Sequence, residues 1–191
     1  MWYTIIMRKL AKHEIAAYKD WYARANRVLI ELYGGDSDLF AALLAATSPR
    51  MSVKRNWRLA KQVYHSWKNG GPINLNGTLP AHHGNIERAF VSETLSGPKV
   101  ESFRKNLLGD YNAVTIDVWM KRWLGIDKRL TLRRYEIAAG AIREQALDYR
   151  LKPAEFQAVA WCVIRRDYGF KVKSFALEYA NDSGQLKLWD D

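Results

Sequence analysis

The stretch Thr94-Leu-Ser-Gly-Pro-Lys-Val-Glu-Ser-Phe-Arg-Lys-Asn-Leu-Leu-Gly-Asp-Tyr-Asn-Ala-Val-Thr-Ile-Asp-Val-Trp119 decides how this chain reads. Ser96-Gly97 is a small-residue turn, and it opens a helix whose first residues carry Lys99. Asp117 follows Lys99 by 18 positions, isolated at the end of an apolar run. An acid and an amine at these places are chemistry-bearing groups, whereas a turn that only joined two packed helices would need neither.

Outward from this stretch, apolar residues recur at three- and four-residue spacings and strand-like alternation is scarce, so the chain is expected to be all-α. The pattern predicts helices over about 11–33, 36–47, 52–69, 84–94, 98–108, 117–124, 131–150 and 153–168, punctuated by Gly34-Gly35, Gly70-Gly71-Pro72 and Lys152-Pro153. The longest expected loop, 70–84, carries His82-His83. Residues 170–191 alternate weakly and read as a tail or short hairpin. No internal repeat or low-complexity segment is evident.

The segment around Gly97, Lys99 and Asp117 resembles the helix-hairpin-helix DNA glycosylases, in which the hairpin ends in Gly-x-Lys and a catalytic aspartate follows the next helix. It is most similar to the 8-oxoguanine-type enzymes, whose active lysine matches Lys99 and whose aspartate opens a helix as Asp117-Val118-Trp119 does. Leu95 stands where the usual hairpin has its first glycine. The resemblance covers about residues 93–124. It implies a two-lobed all-α fold, with one lobe of about 48–130 carrying the hairpin and a second built from about 1–47 and 131–169. It also implies a cleft that receives a base flipped from double-stranded DNA, and a monovalent cation at the hairpin as the only cofactor to consider. Short phage- and defence-associated relatives, including antiviral glycosylases that remove glucosylated hydroxymethylcytosine, share the overall pattern.

Breaking an N-glycosidic bond builds positive charge on the sugar, which a nearby carboxylate stabilises. Asp117 suits this role; it also reads as a plain helix N-cap. Lys99 could attack C1′ and form a Schiff base, provided its pKa is lowered, or it could simply contact phosphate. Ser96 and Gly97, with the amides of Lys99 and Val100, form an expected phosphate cradle at the helix start, extended by Arg104 and Lys105. By the same resemblance, Gln157 would meet the edge of the extruded base and Trp161, on the same helical face, would cover it. Trp119 and Trp123 are further candidates for lining the pocket or packing the core. The turn Pro49-Arg50-Met51-Ser52 resembles the wedge that enters the emptied base stack, with Arg50, Met51 and Ser52 as wedge candidates and Lys54 and Arg55 as phosphate contacts. Ser52 reads equally as an N-cap.

Composition agrees with a polyanionic partner without singling it out. Of the 191 residues, 30 are Lys or Arg and 20 are Asp or Glu, a net charge of +10, a balance that ribosomal and membrane-surface proteins share. Cys162 is the only cysteine, which excludes an internal disulfide and a four-cysteine iron–sulfur cluster. Adjacent histidines without further ligands at metal spacing argue against a metal site at His82-His83, and His83 reads instead as a loop contact to DNA. The apolar run at residues 1–7 is too short for a signal peptide or a membrane span. A cytoplasmic monomer that does not engage membranes is expected. Four readings stay open: excision of a modified base with an antiviral role, 8-oxoguanine-type repair with strand nicking, DNA binding without chemistry, or a structural or assembly protein in which the motif is fortuitous and DNA binding that responds to salt is absent.

Overall fold

The computed structural model describes residues 8–91, 94–176 and 178, and the described residues are helical, with no strand among them. The elements are α1 (Lys12–Tyr18), α2 (Trp21–Tyr33), α3 (Ser37–Thr47), α4 (Val53–Lys68), α5 (Pro80–Phe90), α6 (Pro98–Leu107), α7 (Val118–Trp123), α8 (Leu132–Asp148) and α9 (Pro153–Asp167), with a 3₁₀ turn at Gly34–Asp36. The all-α expectation holds. Two boundaries differ from those expected. The first helix is broken at Lys19-Asp20 into α1 and α2. The fifth starts at Pro80, so His82 and His83 lie in a helix and not in a loop. Proline at the first helical position loses no intrahelical bond, and the Nδ1 atom of His82 accepts the Leu79 amide at 3.2 Å, capping the helix four residues earlier than glycine punctuation suggested.

Helix α3 is the centre of the first core. From Phe40 to Thr47 every residue is buried, the pattern of a helix surrounded on all sides, and α2, α4, α5 and α6 all pack on it. Its alanines let those neighbours approach closely, while Phe40 stacks on Tyr33 at 3.7 Å and meets Trp57 edge-on at 5.4 Å. The second core gathers Val114, Ile116, Met120, Tyr135, Ile142, Val159 and Val163 from α7, α8, α9 and the segment before α7. Helix α9 belongs to both, giving Ala154 and Ala158 to the first and Phe156, Val159 and Val163 to the second.

The seam between the cores therefore runs elsewhere than the lobe boundaries suggested by resemblance. Helices α2 and α3, assigned to the lobe of α8 and α9, pack with α4, α5 and α6. Helix α7, assigned to the hairpin lobe, packs with α8 and α9. Most of the 170–191 segment lies outside the described residues. Its described part has no regular secondary structure over residues 170–174 and turns helical at Phe175. Among the described residues no helix is long and apolar enough to cross a membrane.

Candidate functional site

Asp117 reaches the site because the segment before it is tied down on both sides. Asn106, fully buried at the end of α6, donates to the carbonyls of Asp110 and Ala113 at 2.9 and 2.8 Å and accepts the Thr115 hydroxyl at 2.9 Å. From the opposite core the Tyr135 hydroxyl donates to the Val114 carbonyl and accepts the Ile116 amide, at 2.8 and 3.0 Å. Val114 and Ile116 enter the second core, and Thr115 faces a cavity with Asp117 at its rim.

Asp117 caps α7. Its Oδ1 accepts the amides of Trp119 and Met120, both at 2.9 Å, and its Oδ2 accepts the indole N–H of Trp161 at 2.9 Å. The cap and the candidate catalytic acid are thus one residue, and the two readings of Asp117 do not compete. The indole contact is the feature that an N-cap does not require.

Lys99 enters from the first turn of α6. Gly97 precedes that helix with φ +96° and ψ 131°, a conformation in which an L side chain is strained. The loop is held by Asn85, whose side chain accepts the Ser96 amide at 2.6 Å and donates to the Ser96 carbonyl at 3.0 Å, and by Glu101, which accepts the Leu95 amide at 3.0 Å. A cation at the hairpin would need free backbone carbonyls; among the described loop residues the Ser96 carbonyl is already taken by an amide donor. The loop that results sends Lys99, a half-buried residue, into the cavity. Burial pushes its amine below the ordinary lysine range, and the attraction of Asp117 opposes that shift in part.

The third wall is the turn between α3 and α4. Buried Asn56 donates to the Leu44 carbonyl at 3.0 Å, the Thr47 hydroxyl lies 2.6 Å from the Asn56 Oδ1, and Ser52 caps α4 by accepting the Arg55 amide at 3.2 Å. His82 Nε2 is 3.0 Å from the Pro49 carbonyl; because its Nδ1 accepts from Leu79, the ring is neutral with the proton on Nε2. Burial lowers its pKa accordingly. Between these ties Arg50 takes a left-handed backbone at φ 63°, a strain of about 1–2 kcal/mol for a residue that is not glycine. Ser48, Met51 and Val53 line the cavity, while Arg50, Ser52 and Lys54 are exposed beside it.

Helix α9 closes the site with Gln157 and Trp161, four residues apart and on one face. The Tyr22 hydroxyl donates to the Gln157 Oε1 at 2.9 Å, so the amide oxygen is engaged from α2. Trp21, Tyr22, Phe103 and Phe175 complete an aromatic lining. The cavity is half-enclosed, with a volume of about 90 Å³.

Lys99, Asp117, Met51, Gln157 and Trp161, singled out from sequence, therefore converge. Several other expected site residues lie elsewhere. Trp119 and Trp123 do not line the cavity: Trp119 packs on Tyr168 and Phe170, and Trp123 donates to the Gln145 Oε1 at 2.9 Å and meets Phe156. Their spacing turns them toward the second core and its edge. The Val100 amide does not point outward but bonds to the Gly97 carbonyl at 3.1 Å, and the Val100 side chain is buried. Arg104 grips Asp38 of α3, both guanidinium contacts of its Nη2 being 2.9 Å, and so ties α6 to α3. Ser96, Gly97 and Lys105 are exposed, as a phosphate contact requires. His83 contacts the Thr78 hydroxyl at 3.0 Å. Among the described residues no group of three or more His, Cys, Asp or Glu side chains could hold a metal.

Sequence reasoning missed Tyr22, Thr115 and Phe175, which touch the cavity but carry no motif. The 135-residue separation between Tyr22 and Gln157 leaves no local signal.

Residues 4–168 match the model of a family of unknown function, DUF7178. The chain belongs to this family. No curated protein and no solved structure matches it. The DUF7178 match includes five of the stretches that build the cavity and ends before Phe175, which the following segment adds to the wall.

Proposed function

We propose that this DUF7178 protein is a DNA glycosylase of the helix-hairpin-helix kind, which flips a modified base out of duplex DNA and releases it. One observation carries the reading. Met51, Lys99, Asp117 and the Gln157/Trp161 pair come from four separate stretches of chain and meet in one half-enclosed cavity; the fold calls for no amine there, and the cap of α7 that Asp117 provides could be made by an uncharged Asn. The net charge of +10 supports a polyanionic partner.

In this reading the Asp117 carboxylate faces the sugar and stabilises the positive charge that develops as the base departs. Lys99, its ammonium form disfavoured by burial, supplies the nucleophile. Its nitrogen lone pair forms the bond to C1′ while the bond to the base breaks, the bonding electrons leave with the base, and the base takes up a proton. The aminal so formed loses its extra proton on nitrogen and opens the sugar ring, the C1′–O4′ bond breaking as the C1′=N bond forms and O4′ taking up a proton; the resulting Schiff base can then lose a C2′ proton and expel the 3′ phosphate, nicking the strand. Gln157 offers its amide to the base edge, and the aromatic lining receives the faces of the base.

The test is a panel of duplexes carrying oxidised, alkylated, deaminated and glucosylated bases, scored for free base and for borohydride-trapped adduct. Release of one base class, with an adduct that Lys99→Gln loses, is the expected result. Release of glucosylated hydroxymethylcytosine, together with protection of cells against phages carrying it, would place the activity in antiviral defence; release of 8-oxoguanine would place it in repair. Duplex binding with no base released from any substrate would refute the glycosylase reading and leave a non-catalytic DNA binder.

A further inference from the structure

Beside the cavity the protein carries a run of alternating arginine and aromatic side chains. The Arg165 guanidinium carbon lies 4.5 Å from the Trp161 ring centre, 5.2 Å from Trp119 and 5.4 Å from Phe170. That of Arg122 lies 4.3 Å from the same Trp119 ring and 5.2 Å from Tyr168. Tyr168 and Phe170 expose 57% and 49% of their surfaces, unusual for large rings that sit together. The arrangement begins at the cavity wall, since Trp161 lines it. It also returns there, because the chain from Phe170 leads to Phe175 and is held on the way by the Trp21 indole, which donates to the Lys173 carbonyl at 3.1 Å.

Three arginines elsewhere are held by carboxylates. Arg8 and Arg166 bind Glu14, and Arg104 binds Asp38. Among the described residues no carboxylate pairs with Arg122 or Arg165, and the Nε of Arg165 is buried without a hydrogen-bond partner. Stacking holds both guanidinium groups without using their donors, so binding an anion would cost little further side-chain entropy. Planar cations with free donors next to exposed rings match the two parts of a nucleotide, phosphate and base.

We propose that Arg122 and Arg165 pair with phosphates, and Tyr168 and Phe170 stack against a base, of the DNA strand running out of the cavity, forming a second grip separate from the hairpin. This grip rests on the DNA part of the function proposed above but not on its chemistry. It fits a nucleic-acid strand better than an acidic peptide, because the exposed rings add stacking faces to the charge.

The experiment measures binding of the full chain to a labelled duplex containing a tetrahydrofuran abasic analogue, which cannot react, from 50 to 200 mM salt. Arg122→Gln should flatten the slope of log K against log salt by about 0.9, so that affinity lost across that fourfold salt range shrinks about 3.5-fold. Tyr168→Ala should weaken binding about fivefold or more at every salt concentration, the lower bound for losing one stacked base. Arg143→Gln, an exposed cation of α8, should retain the wild-type slope. Both test residues are exposed, and melting curves verify that the variants fold. An Arg122→Gln slope equal to that of wild type, with unchanged affinity in Tyr168→Ala, overturns the grip, as does a wild type that does not bind the duplex. Base release, scored separately, distinguishes the two readings: a flattened slope with no base released from any substrate leaves the grip standing and removes the glycosylase, and the reverse pattern does the opposite.

Discussion

Replacing Asp117 by Asn and by Ala separates its two tasks. Asn and Asp are nearly equal as helix N-caps, so in Asp117→Asn the side-chain carbonyl can still accept the Trp119 and Met120 amides now held by Oδ1. What is lost is the Oδ2 contact, where an amide N–H would meet the Trp161 indole N–H. A hydrogen bond to a charged group contributes about 1.5–3 kcal/mol, which for a chain of this size is a drop in melting temperature of roughly 3–12 °C. Asp117→Ala loses the cap as well, a further ~1 kcal/mol. Stability should therefore rank wild type above Asn above Ala, with both variants folded. Activity should rank differently. A positioned carboxylate contributes at least ~10²-fold, and neither Asn nor Ala restores the charge, so both variants should lose base release to the same extent. Single-turnover excision beside thermal melts makes the comparison. A folded Asn variant with near-normal release would show that Asp117 only caps α7 and would remove the proposed chemistry.

The buried Lys99 amine should cost stability, so Lys99→Gln should raise the melting temperature at pH 7 while abolishing borohydride trapping. Because the folded-state pKa lies below the unfolded value of about 10.4, the unfolded chain holds more protons in that window, wild-type stability rises with pH through it, and the gap to Lys99→Gln should close; a gap that widens with pH would refute the burial argument. The same sign holds for His82, whose pKa is also lowered: its contribution is complete above about pH 6.5 and is lost as pH falls through its folded value, so melts of wild type should lose stability on acidification that His82→Gln does not lose. Trp161→Phe keeps a ring in the cavity wall but drops the N–H that holds Asp117, and should reduce excision while leaving affinity for the unreacted substrate duplex, with its modified base in place, within about twofold, well under the 1–3 kcal/mol assigned to a stacked base; equal loss in both assays would make Trp161 a stacking residue alone.

Much of this was legible because it is local. Helical period, proline and glycine punctuation and the Lys99–Asp117 spacing all lie within short windows, and eight of the nine helices among the described residues fall within the predicted spans, the ninth, α5, being offset by four residues. The break at Lys19-Asp20 was not visible, since nothing in the local apolar period requires it. The lobe boundaries were misplaced for a different reason. Period assigns a residue to a helix face but does not say which neighbour covers that face, and α9, whose two sides enter two cores, gives one continuous signal for both. Gln157 and Trp161 were placed correctly on one face, yet their partners Tyr22 and Asp117 come from remote stretches. Trp119 and Trp161 were alike in sequence and both meet Arg165, yet only Trp161 lines the cavity and donates to a carboxylate.

The distribution of cost in the molecule bears on function independently of any motif. Three unfavourable features lie at or beside the cavity: the desolvated Lys99 amine, the left-handed Arg50 and the unpartnered Arg165 Nε. The buried polar groups immediately behind them are satisfied, Asn56 by Leu44 and Thr47, Asn106 by Asp110, Ala113 and Thr115, and Tyr135 by Val114 and Ile116. A fold optimised for stability alone would spread or remove such costs. Arg150, after α8, is also left-handed at φ 55°, but at the cavity three such costs meet within a well-bonded frame, which is how a site is kept preorganised against the tendency of its own groups to relax. Trp161 is the point at which frame and site meet, since one ring lines the cavity, holds Asp117 and stacks with Arg165. A ligand drawn to the arginine cluster would therefore press on the residue that orients the acid.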